Sequence, residues 1–331
     1  MRAIAMMRRP DGVREKKLVT DWPEPPGPAG NQVKVQAMFT GVTNGTERNG
    51  LLRGNYAPKD EHLPSTYGYQ HVGRVVEVGP DARNLRVGDV IFSSSHHEEY
   101  AVVREDGLLT RLPDGVAPRH AALWGVASVS FHDARRADVK PEDNVLVVGA
   151  GLIGQFAAQA ARVCGARVTV ADVDDARLDL ARRLGADATV NVASPEGLEQ
   201  LRAAKKAGRP FTVVFEDSGA DVLDWIIGGT WVGGVIAHRA RVLMIAGRFD
   251  VKYNFNAAQD AEVAVLHAGH FTRGDLEQVA RLTARGDIRI EPLIRDVVAV
   301  AEAGGIYDTL RDRPNELLGT VFDWSEPGAA R

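Results

Sequence analysis

The stretch VLVVGAGLIG, residues 145–154, constrains the fold more than any other part of the chain. An apolar, β-branched run ends at Gly149, and an apolar helical pattern follows Gly154 directly. Gly149 permits a tight turn, Gly151 lets the backbone approach a pyrophosphate, and Gly154 lets the helix lie close on the strand. The N–H groups at the helix N-terminus add a partial positive charge. The stretch therefore predicts a strand, a turn and a helix that together bind a dinucleotide.

The next predicted strand, RVTVAD at residues 167–172, ends in Asp172, roughly 20 residues after the first glycine, as such a binding site requires. A carboxylate there can accept hydrogen bonds from both hydroxyls of the adenosine ribose, and it would repel a 2′-phosphate. No arginine directly follows Asp172, so we predict NAD rather than NADP as the cofactor. A nucleotide-free loop with an acid placed there by chance is the alternative. The predicted cofactor-binding residues are Gly149, Gly151, Leu152, Ile153, Gly154, Asp172, Val173 and Arg177.

Strand and helix patterns alternate through the middle of the chain, which predicts a parallel sheet covered by helices on both faces. Residues 1–118 are instead β-rich and are punctuated by Pro and Gly clusters. After residue 270 the chain returns to an amphipathic helix at 272–288 and a closing strand at 317–324. The predicted buried face of that helix comprises Leu276, Val279, Ala280 and Leu282.

Length and composition narrow the class of protein. A chain of 331 residues is long enough for two domains. Its formal net charge of -4 gives no electrostatic case for binding nucleic acid or an anionic membrane. The N-terminus does not resemble a signal peptide, and no run approaches the roughly 18–20 apolar residues of a spanning helix. The single cysteine, Cys164, excludes a multi-cysteine zinc site and is predicted to be a small core residue. We expect a soluble, cytoplasmic protein.

Several stretches resemble the medium-chain dehydrogenase/reductase superfamily. They are PEPPGPAGNQVKVQAMFTGV, GYQHVGRVVEVGPDARNLRVGDVI, EEYAVV, the Gly-rich loop followed by ARRLGAD, and DIRIEPLIRDVV. The resemblance covers essentially the whole chain and implies an α/β fold with two domains. A GroES-like, β-rich catalytic domain spans 1–121 and is completed by 271–331, and a Rossmann domain with a doubly wound parallel sheet spans 122–270. The resemblance further implies a small-molecule substrate, and a homodimer or dimer of dimers formed through the apolar strand at 262–269.

The sequence departs from the zinc-dependent members of that superfamily at each metal-ligand position. The resemblance places their zinc-binding cysteine at Thr43, their histidine and its acidic neighbour at Tyr69 and Gln70, and their third ligand near Gly125. Neutral oxygens and a missing side chain cannot form a three-ligand Zn²⁺ site, so we predict no metal. The TG-x-x-x-GTE pattern at 40–47 resembles a zinc-free branch that includes bacteriochlorophyllide a dehydrogenase-like proteins.

The resemblance also indicates candidate catalytic residues. Thr46 lies where zinc-dependent members carry a Thr or Ser that relays the proton of the alcohol, although it is also suited to cap a helix beginning near Glu47. Glu47 itself is expected to anchor the domain rather than to act as a base. Tyr69 either donates a hydrogen bond to a substrate carbonyl or fills the pocket that a metal would take. The predicted substrate-pocket residues are Thr43, Asn44, Gln70, Ser94 and Trp124.

His96 and His97 are candidates for acid–base chemistry because the unperturbed pKa of histidine lies near neutrality. Adjacent side chains of a strand face opposite sides, so only one of the two is expected to face the substrate. Both could instead be solvent-facing loop residues. A metal site made of His71, His96 and Glu98 is a further alternative, although its spacing matches no common ligand pattern.

Together these features predict an NAD-dependent, zinc-independent oxidoreductase that interconverts a secondary alcohol and a ketone. The polar residues at the former metal positions indicate a sugar-, cyclitol- or natural-product-like substrate. Two other functions stay open from the sequence. One is a zinc-free enone or quinone reductase. Asp172 and the residue sequence of the Gly-rich loop argue against it. The other is a catalytically silent protein that binds NAD.

Overall fold

The computed structural model describes residues 1–229 and 232–325. The chain divides into two compact units. The first unit comprises Met1–Ser128 and Thr272–Arg331, and the second unit comprises Val129–Phe271. The first unit is therefore built from two separate parts of the chain, and the second from one continuous segment.

The strands are β1 (Ala3–Arg8), β2 (Arg14–Val19), β3 (Gln32–Gly41), β4 (Ser65–Thr66), β5 (His71–Val78), β6 (Val90–Ser93), β7 (Tyr100–Arg104), β8 (Leu109–Arg111), β9 (Asn144–Val148), β10 (Arg167–Asp172), β11 (Ala188–Asn191), β12 (Phe211–Glu216), β13 (Gly228–Gly229), β14 (Val232–Gly233), β15 (Ile236–Met244), β16 (Ala264–His267), β17 (Ile294–Ala299) and β18 (Gly319–Asp323).

The α-helices are α1 (Asn44–Leu51), α2 (Pro118–Ala121), α3 (Trp124–Arg136), α4 (Leu152–Val163), α5 (Asp175–Arg183), α6 (Pro195–Lys206), α7 (Leu223–Ile226), α8 (Phe255–Asp260), α9 (Arg273–Arg285) and α10 (Ala303–Asp312). Short 3₁₀ helices lie at Asp60–His62, Glu291–Leu293, Val300–Glu302 and Pro314–Glu316.

The main sheet of the first unit has the strand order β17-β18-β3-β5-β6-β8, and β7 also pairs with β3. β3 alternates in burial, with Val33 and Val35 fully buried, as expected for a strand with one face on the core. The predicted closing strand is confirmed as β18, which lies beside β3 in antiparallel register. A smaller sheet has the order β2-β1-β4.

The second unit contains a parallel sheet with the order β11-β10-β9-β12-β15-β16. Its central strands are apolar on both faces: Val145, Leu146 and Val147 of β9 are all fully buried. Continuous burial is typical of a parallel sheet with helices on both sides. The sequence prediction of an α/β fold with a parallel sheet is therefore confirmed.

The predicted amphipathic helix is confirmed as α9. It begins after Thr272, whose side chain forms a capping box with Asp275, and it ends at Gly286, which adopts a φ of 76°. Its buried residues include the four that were predicted: Leu276, Val279, Ala280 and Leu282.

Two other sequence expectations can be checked against the described residues. Cys164 is only partly buried, at the C-cap of α4, so its prediction as a core residue is wrong. Within 1–229 and 232–325, no helix combines the length and the apolar character needed to cross a membrane.

Candidate functional site

The Gly-rich loop joins β9 to α4, and its three glycines meet three different steric demands. Gly149 has a φ of +100°, and a Cβ there would lie 2.8 Å from the backbone nitrogen of Ser218. A Cβ at Gly154 would lie 1.8 Å from the carbonyl oxygen of Gly149, while a Cβ at Gly151 would meet nothing within 4 Å. The geometry fits the three expected roles: a tight turn at Gly149, room for a ligand to approach the backbone at Gly151, and close packing of the helix on the strand at Gly154.

Asp172 ends β10 beside this loop. Its Oδ2 accepts a hydrogen bond from the backbone nitrogen of Ala150 at 2.5 Å, and its Oδ1 accepts one from that of Val173 at 2.7 Å. The partly exposed carboxylate is therefore fixed next to the glycines, as a ribose-binding acid should be. Val173 is 65% exposed, and the backbone nitrogen of Arg177 donates to the side chain of Asp174, the N-cap of α5.

Leu152 and Ile153 form the first turn of α4, whose N-cap is Gly151 and lacks a side-chain cap. The N–H groups at this helix terminus, where the chain could hold the phosphates of a dinucleotide, thus have no competing side-chain acceptor. Leu152 is buried and Ile153 is partly exposed.

Glu216, at the end of β12, supports the same loop and was not identified from the sequence. It is fully buried, it accepts hydrogen bonds from the backbone nitrogens of Ser218 and Gly219, and it forms an ion pair with Arg248. The backbone of Ser218 packs against the Cα of Gly149, which has no side chain. The hydrogen bonds of Glu216 therefore hold in place the backbone segment that contacts the Gly-rich turn. The ion pair spans 32 residues, so no local pattern could indicate it.

In the first unit, Thr43, Thr46 and Tyr69 come together. The side chains of Thr43 and Thr46 lie beside the hydroxyl of Tyr69, and Thr46 also lies beside Tyr56. Burial raises the pKa of Tyr69 well above its usual range, more than these neighbouring hydroxyls lower it. The phenol is therefore neutral near pH 7 and suited to donate a hydrogen bond rather than to act as a base.

The helix that carries Thr46 starts earlier than the capping alternative requires. α1 begins at Asn44 with Thr43 at the N-cap, so Thr46 lies inside its first turn, and the idea that Thr46 caps the helix is wrong. Asn44 is partly buried, and its Nδ2 donates to the carbonyl oxygen of Leu317 at 3.3 Å. Ser94 is partly exposed just after β6. Their predicted contact with substrate stays a prediction.

Gln70 and Trp124 require a correction, because both side chains are fully buried and cannot line a substrate pocket in this structure. Nε2 of Gln70 donates to the carbonyl oxygen of Gly41 at 3.3 Å, and its Oε1 accepts from the backbone nitrogen of Val126 at 3.0 Å. Gln70 thereby fixes the start of α3 to β3. Trp124 packs against Phe92, with ring centroids 6.3 Å apart.

His96 and His97 face opposite sides, as expected for adjacent residues, with His97 in the interior and His96 at the surface. His97 is fully buried, and its Nε2 lies 3.2 Å from Oε1 of Glu47, so it cannot pass a proton directly to water and its catalytic assignment is corrected. Burial lowers the pKa of His97, despite the nearby Glu47 carboxylate. His96 is exposed, with its Nδ1 2.8 Å from the hydroxyl of Thr66.

Glu47 anchors the domain, as expected, through four hydrogen bonds. Its Oε1 accepts from the backbone nitrogen of Thr43 at 2.7 Å and from His97, and its Oε2 accepts from the hydroxyl of Tyr307 at 2.5 Å and from Lys16. Glu47 and Lys16 are both fully buried. Burial alone would raise the pKa of Glu47, but the charge of Lys16 and these bonds hold it well below its usual range.

Comparisons with known proteins agree with this geometry. A family model described as zinc-binding dehydrogenase matches residues 153–284. The L-threonine 3-dehydrogenase of Anaeromyxobacter sp. (strain K) is 31% identical over 254 residues, which cover 66% of this chain and 70% of that protein. A probable D-xylulose reductase A from Arthroderma otae is 26% identical over 342 residues, covering 91% of this chain and 92% of that protein.

The chain belongs to the zinc-binding dehydrogenase family. It is therefore an oxidoreductase of the medium-chain dehydrogenase/reductase superfamily, as the sequence predicted. A solved alcohol dehydrogenase from Escherichia coli CFT073, complexed with NADH, superposes with a TM-score of 0.81 at 17% identity, covering 98% of this chain and 99% of that one. The fold is thus the GroES-like unit plus Rossmann unit that the sequence predicted.

This member of the zinc-binding dehydrogenase family does not offer the side chains that its family name implies. Gln70 is bonded to Thr43 at 3.4 Å, and a Cβ on Gly125 would lie 3.0 Å from both Gln70 and the ring of Tyr69. Side chains of these residues therefore fill the space beside Gly125. Within the described ranges, no group of three His, Cys, Asp or Glu residues could hold a metal ion. In particular, His71 is buried with its Nε2 3.1 Å from the backbone carbonyl oxygen of Glu98, so the alternative metal site is not formed. These residues do not fit zinc.

Proposed function

We propose that the protein is an NAD-dependent, zinc-independent dehydrogenase that interconverts a secondary alcohol and a ketone on a polar, polyol-like substrate. The observation that carries this proposal is the group of hydroxyls of Thr43, Thr46 and Tyr69, two of which stand at positions where the resemblance places metal ligands of zinc-dependent members. Hydroxyl groups can bind an alcohol oxygen and pass its proton. Relatives named for D-xylulose and L-threonine support a hydroxylated substrate.

The two units have separate tasks in this proposal. The catalytic domain is the one predicted at 1–121 and 271–331, and the NAD-binding domain is the one predicted at 122–270. The Gly-rich loop and Asp172 support the second assignment, because they combine a bare backbone, a free helix terminus and a fixed carboxylate.

NAD supplies the hydride acceptor for alcohol oxidation, and the protein's own residues orient the alcohol and move its proton. Neutral Tyr69 donates a hydrogen bond to the substrate oxygen. Thr46 lies beside both Tyr69 and Tyr56, and Tyr56 is 45% exposed. Thr46 accepts the alcohol proton and gives its own proton to Tyr56, which makes Tyr56 an exit toward solvent in place of His97. Exposed His96 remains the second proposed exit.

A panel of alcohols and ketones with both nicotinamide cofactors tests the proposed activity. We expect NAD-linked oxidation of a polyol and NADH-linked reduction of the matching ketone, measured by absorbance of the reduced cofactor. Reduction of an enone but of no ketone would instead support the enone or quinone reductase. Tight NAD binding without turnover of any compound would support the catalytically silent protein.

The cofactor preference is tested by replacing Asp172. We expect Asp172→Ala to weaken NAD binding by about 1–3 kcal/mol, because charge-assisted hydrogen bonds to the ribose are lost. Fluorescence titration of NAD and NADP against both proteins measures this. Asp179→Ala, an exposed acid on α5, is the matched control. Equal affinities of the native chain for the two cofactors would contradict the role of Asp172.

Zinc independence is tested by metal analysis of the purified protein. We expect no stoichiometric zinc, and no loss of NAD-linked activity after dialysis against a chelator, because Thr43, Tyr69 and Gly125 supply no zinc ligand set. Elemental analysis by mass spectrometry is the measurement. One zinc per chain, removed together with activity, would contradict the proposal.

We also propose a homodimer or dimer of dimers. Within the described residues, β16 pairs only with β15, which leaves its outer edge with unpaired backbone groups. Such edges favour pairing with another strand, and a second copy of β16 is suited to this. Sedimentation equilibrium at micromolar concentration should therefore show at least a dimer. A monomer under those conditions would contradict this assembly.

A further inference from the structure

His97 connects the two segments that carry the proposed catalytic hydroxyls. Its Nε2 lies 3.2 Å from Oε1 of Glu47, the residue that follows Thr46 on α1. The same ring contacts Gly68, where a Cβ would lie only 2.6 Å from both Cδ2 and Nε2 of the imidazole. Gly68 directly precedes Tyr69. The imidazole therefore spans from the neighbour of Thr46 to the neighbour of Tyr69.

The orientation and the proton of the His97 ring are both fixed. The rings of Tyr307 and Phe322 meet it edge-on, at centroid distances of 6.5 and 5.8 Å. Because burial lowers the pKa of His97, the ring is neutral near pH 7. Its single proton lies on Nε2, since the carboxylate of Glu47 can only accept. Within the described residues, Nδ1 has no hydrogen-bond partner, so Glu47 is the one group to which the ring donates.

The carboxylate of Glu47 transmits this contact to both segments. Its Oε1 also accepts from the backbone nitrogen of Thr43 at 2.7 Å, across the first turn of α1 that contains Thr46. Its Oε2 pairs with Lys16, whose Nζ lies 3.5 Å from the carbonyl oxygen of Tyr67. Each oxygen of one buried carboxylate thus ties α1 to the chain that leads into the next hydroxyl.

We infer that His97 is a positioning residue that fixes the hydroxyl of Thr46 relative to that of Tyr69. Because it is fully buried, it acts through Glu47 and Gly68 and does not touch the substrate. The inference rests on the proposed dehydrogenase function. A misplacement of about 1 Å at a reacting group can cost about 10²-fold in rate, so a small shift between the two hydroxyls is measurable as a change in kcat.

The kinetic test uses a substrate found in the alcohol panel, with NAD at saturation. His97→Phe keeps an aromatic ring but no donor, and it should lower kcat at least tenfold while the KM for NAD stays unchanged. His97→Gln should keep most of the turnover, because its amide nitrogen can donate to Glu47. Val33→Ala is the control for lost stability, since Val33 lies in a separate core cluster of the same unit. It should lower the unfolding temperature but not kcat.

A double variant separates positioning from a purely structural role. If His97 acts through Thr46, His97→Phe combined with Thr46→Val should lose no more turnover than Thr46→Val alone. Multiplied losses in the double variant would overturn the inference. A fall of kcat in Val33→Ala equal to that in His97→Phe would overturn it too.

Hydrogen exchange tests the positioning without any substrate. Backbone amides of residues 43–47 and 67–70 should exchange faster in His97→Phe than in the native chain, and at nearly native rates in His97→Gln. If no alcohol is oxidised but this pattern is seen, the dehydrogenase function fails and the positioning stands. If an alcohol is oxidised while His97→Phe keeps native exchange and native kcat, the function stands and the positioning fails.

Discussion

Replacing Glu47 by Gln should lower the free energy of unfolding by about 3–5 kcal/mol, the usual effect of breaking a buried ion pair. The substitution keeps the size of the side chain but removes the charge that balances Lys16, and both residues are fully buried. Because the pKa of Glu47 is held below its usual range, its contribution is complete above that range. The contribution is lost as the pH falls through the lowered pKa.

Chemical denaturation at pH 7 measures the change, with the midpoint shifted and the slope unchanged. Glu61→Gln is the matched control, since the side chain of Glu61 is 67% exposed and its replacement should cost no more than about 0.5 kcal/mol. Equal stabilities of the two variants would show that the Glu47 cluster contributes nothing to the folded state.

Replacing Thr46 by Val should lower turnover by at least tenfold, and by as much as about 10²–10⁴-fold if Thr46 alone passes the proton. Valine has the same shape but no hydroxyl, so the polar group beside Tyr69 and Tyr56 that passes the proton is lost. NAD affinity should stay almost unchanged. Tyr69→Phe should have a smaller effect, because the phenol donates one bond to the substrate oxygen while Thr46 still passes the proton.

Steady-state kinetics with a substrate found in the alcohol panel measures both variants. Thr309→Val is the control, because the hydroxyl of Thr309 donates only to the carbonyl oxygen of Gly305 in its own helix. Near-full activity of both Thr46→Val and Tyr69→Phe would mean that the proton leaves through substrate hydroxyls or bound water.

The parts of the protein that could be predicted from its sequence depend on neighbours close in the chain. The role of Gly154 follows from its spacing from Gly149, and the burial of Leu276 and Val279 follows from helical periodicity. The resemblance also groups Thr43, Tyr69 and Gly125 in one place, and the structure brings these three residues together. In each case the residue type and its spacing in the sequence are enough to predict how the residue packs.

The remaining parts depend on contacts between distant segments. Tyr307 bonds Glu47 across 260 residues, and Lys16 does so across 31. Nothing in the loop sequence around His97 indicates that its ring is enclosed by Tyr307 and Phe322. Burial of this kind is set by tertiary packing, which single-sequence patterns do not contain, and it turned a predicted acid–base residue into a structural one.

The position of β18 in the chain determines when the main sheet of the first unit can be completed during translation. This strand pairs with β3 and β17 inside the main sheet of the first unit, yet a ribosome adds it only after the whole second unit. The second unit is continuous, and its last residue precedes β18 in the chain. During translation the nascent β3 therefore keeps an unsatisfied edge while the second unit already folds. This delay leaves a strand edge that can pair with wrong partners until β18 is added.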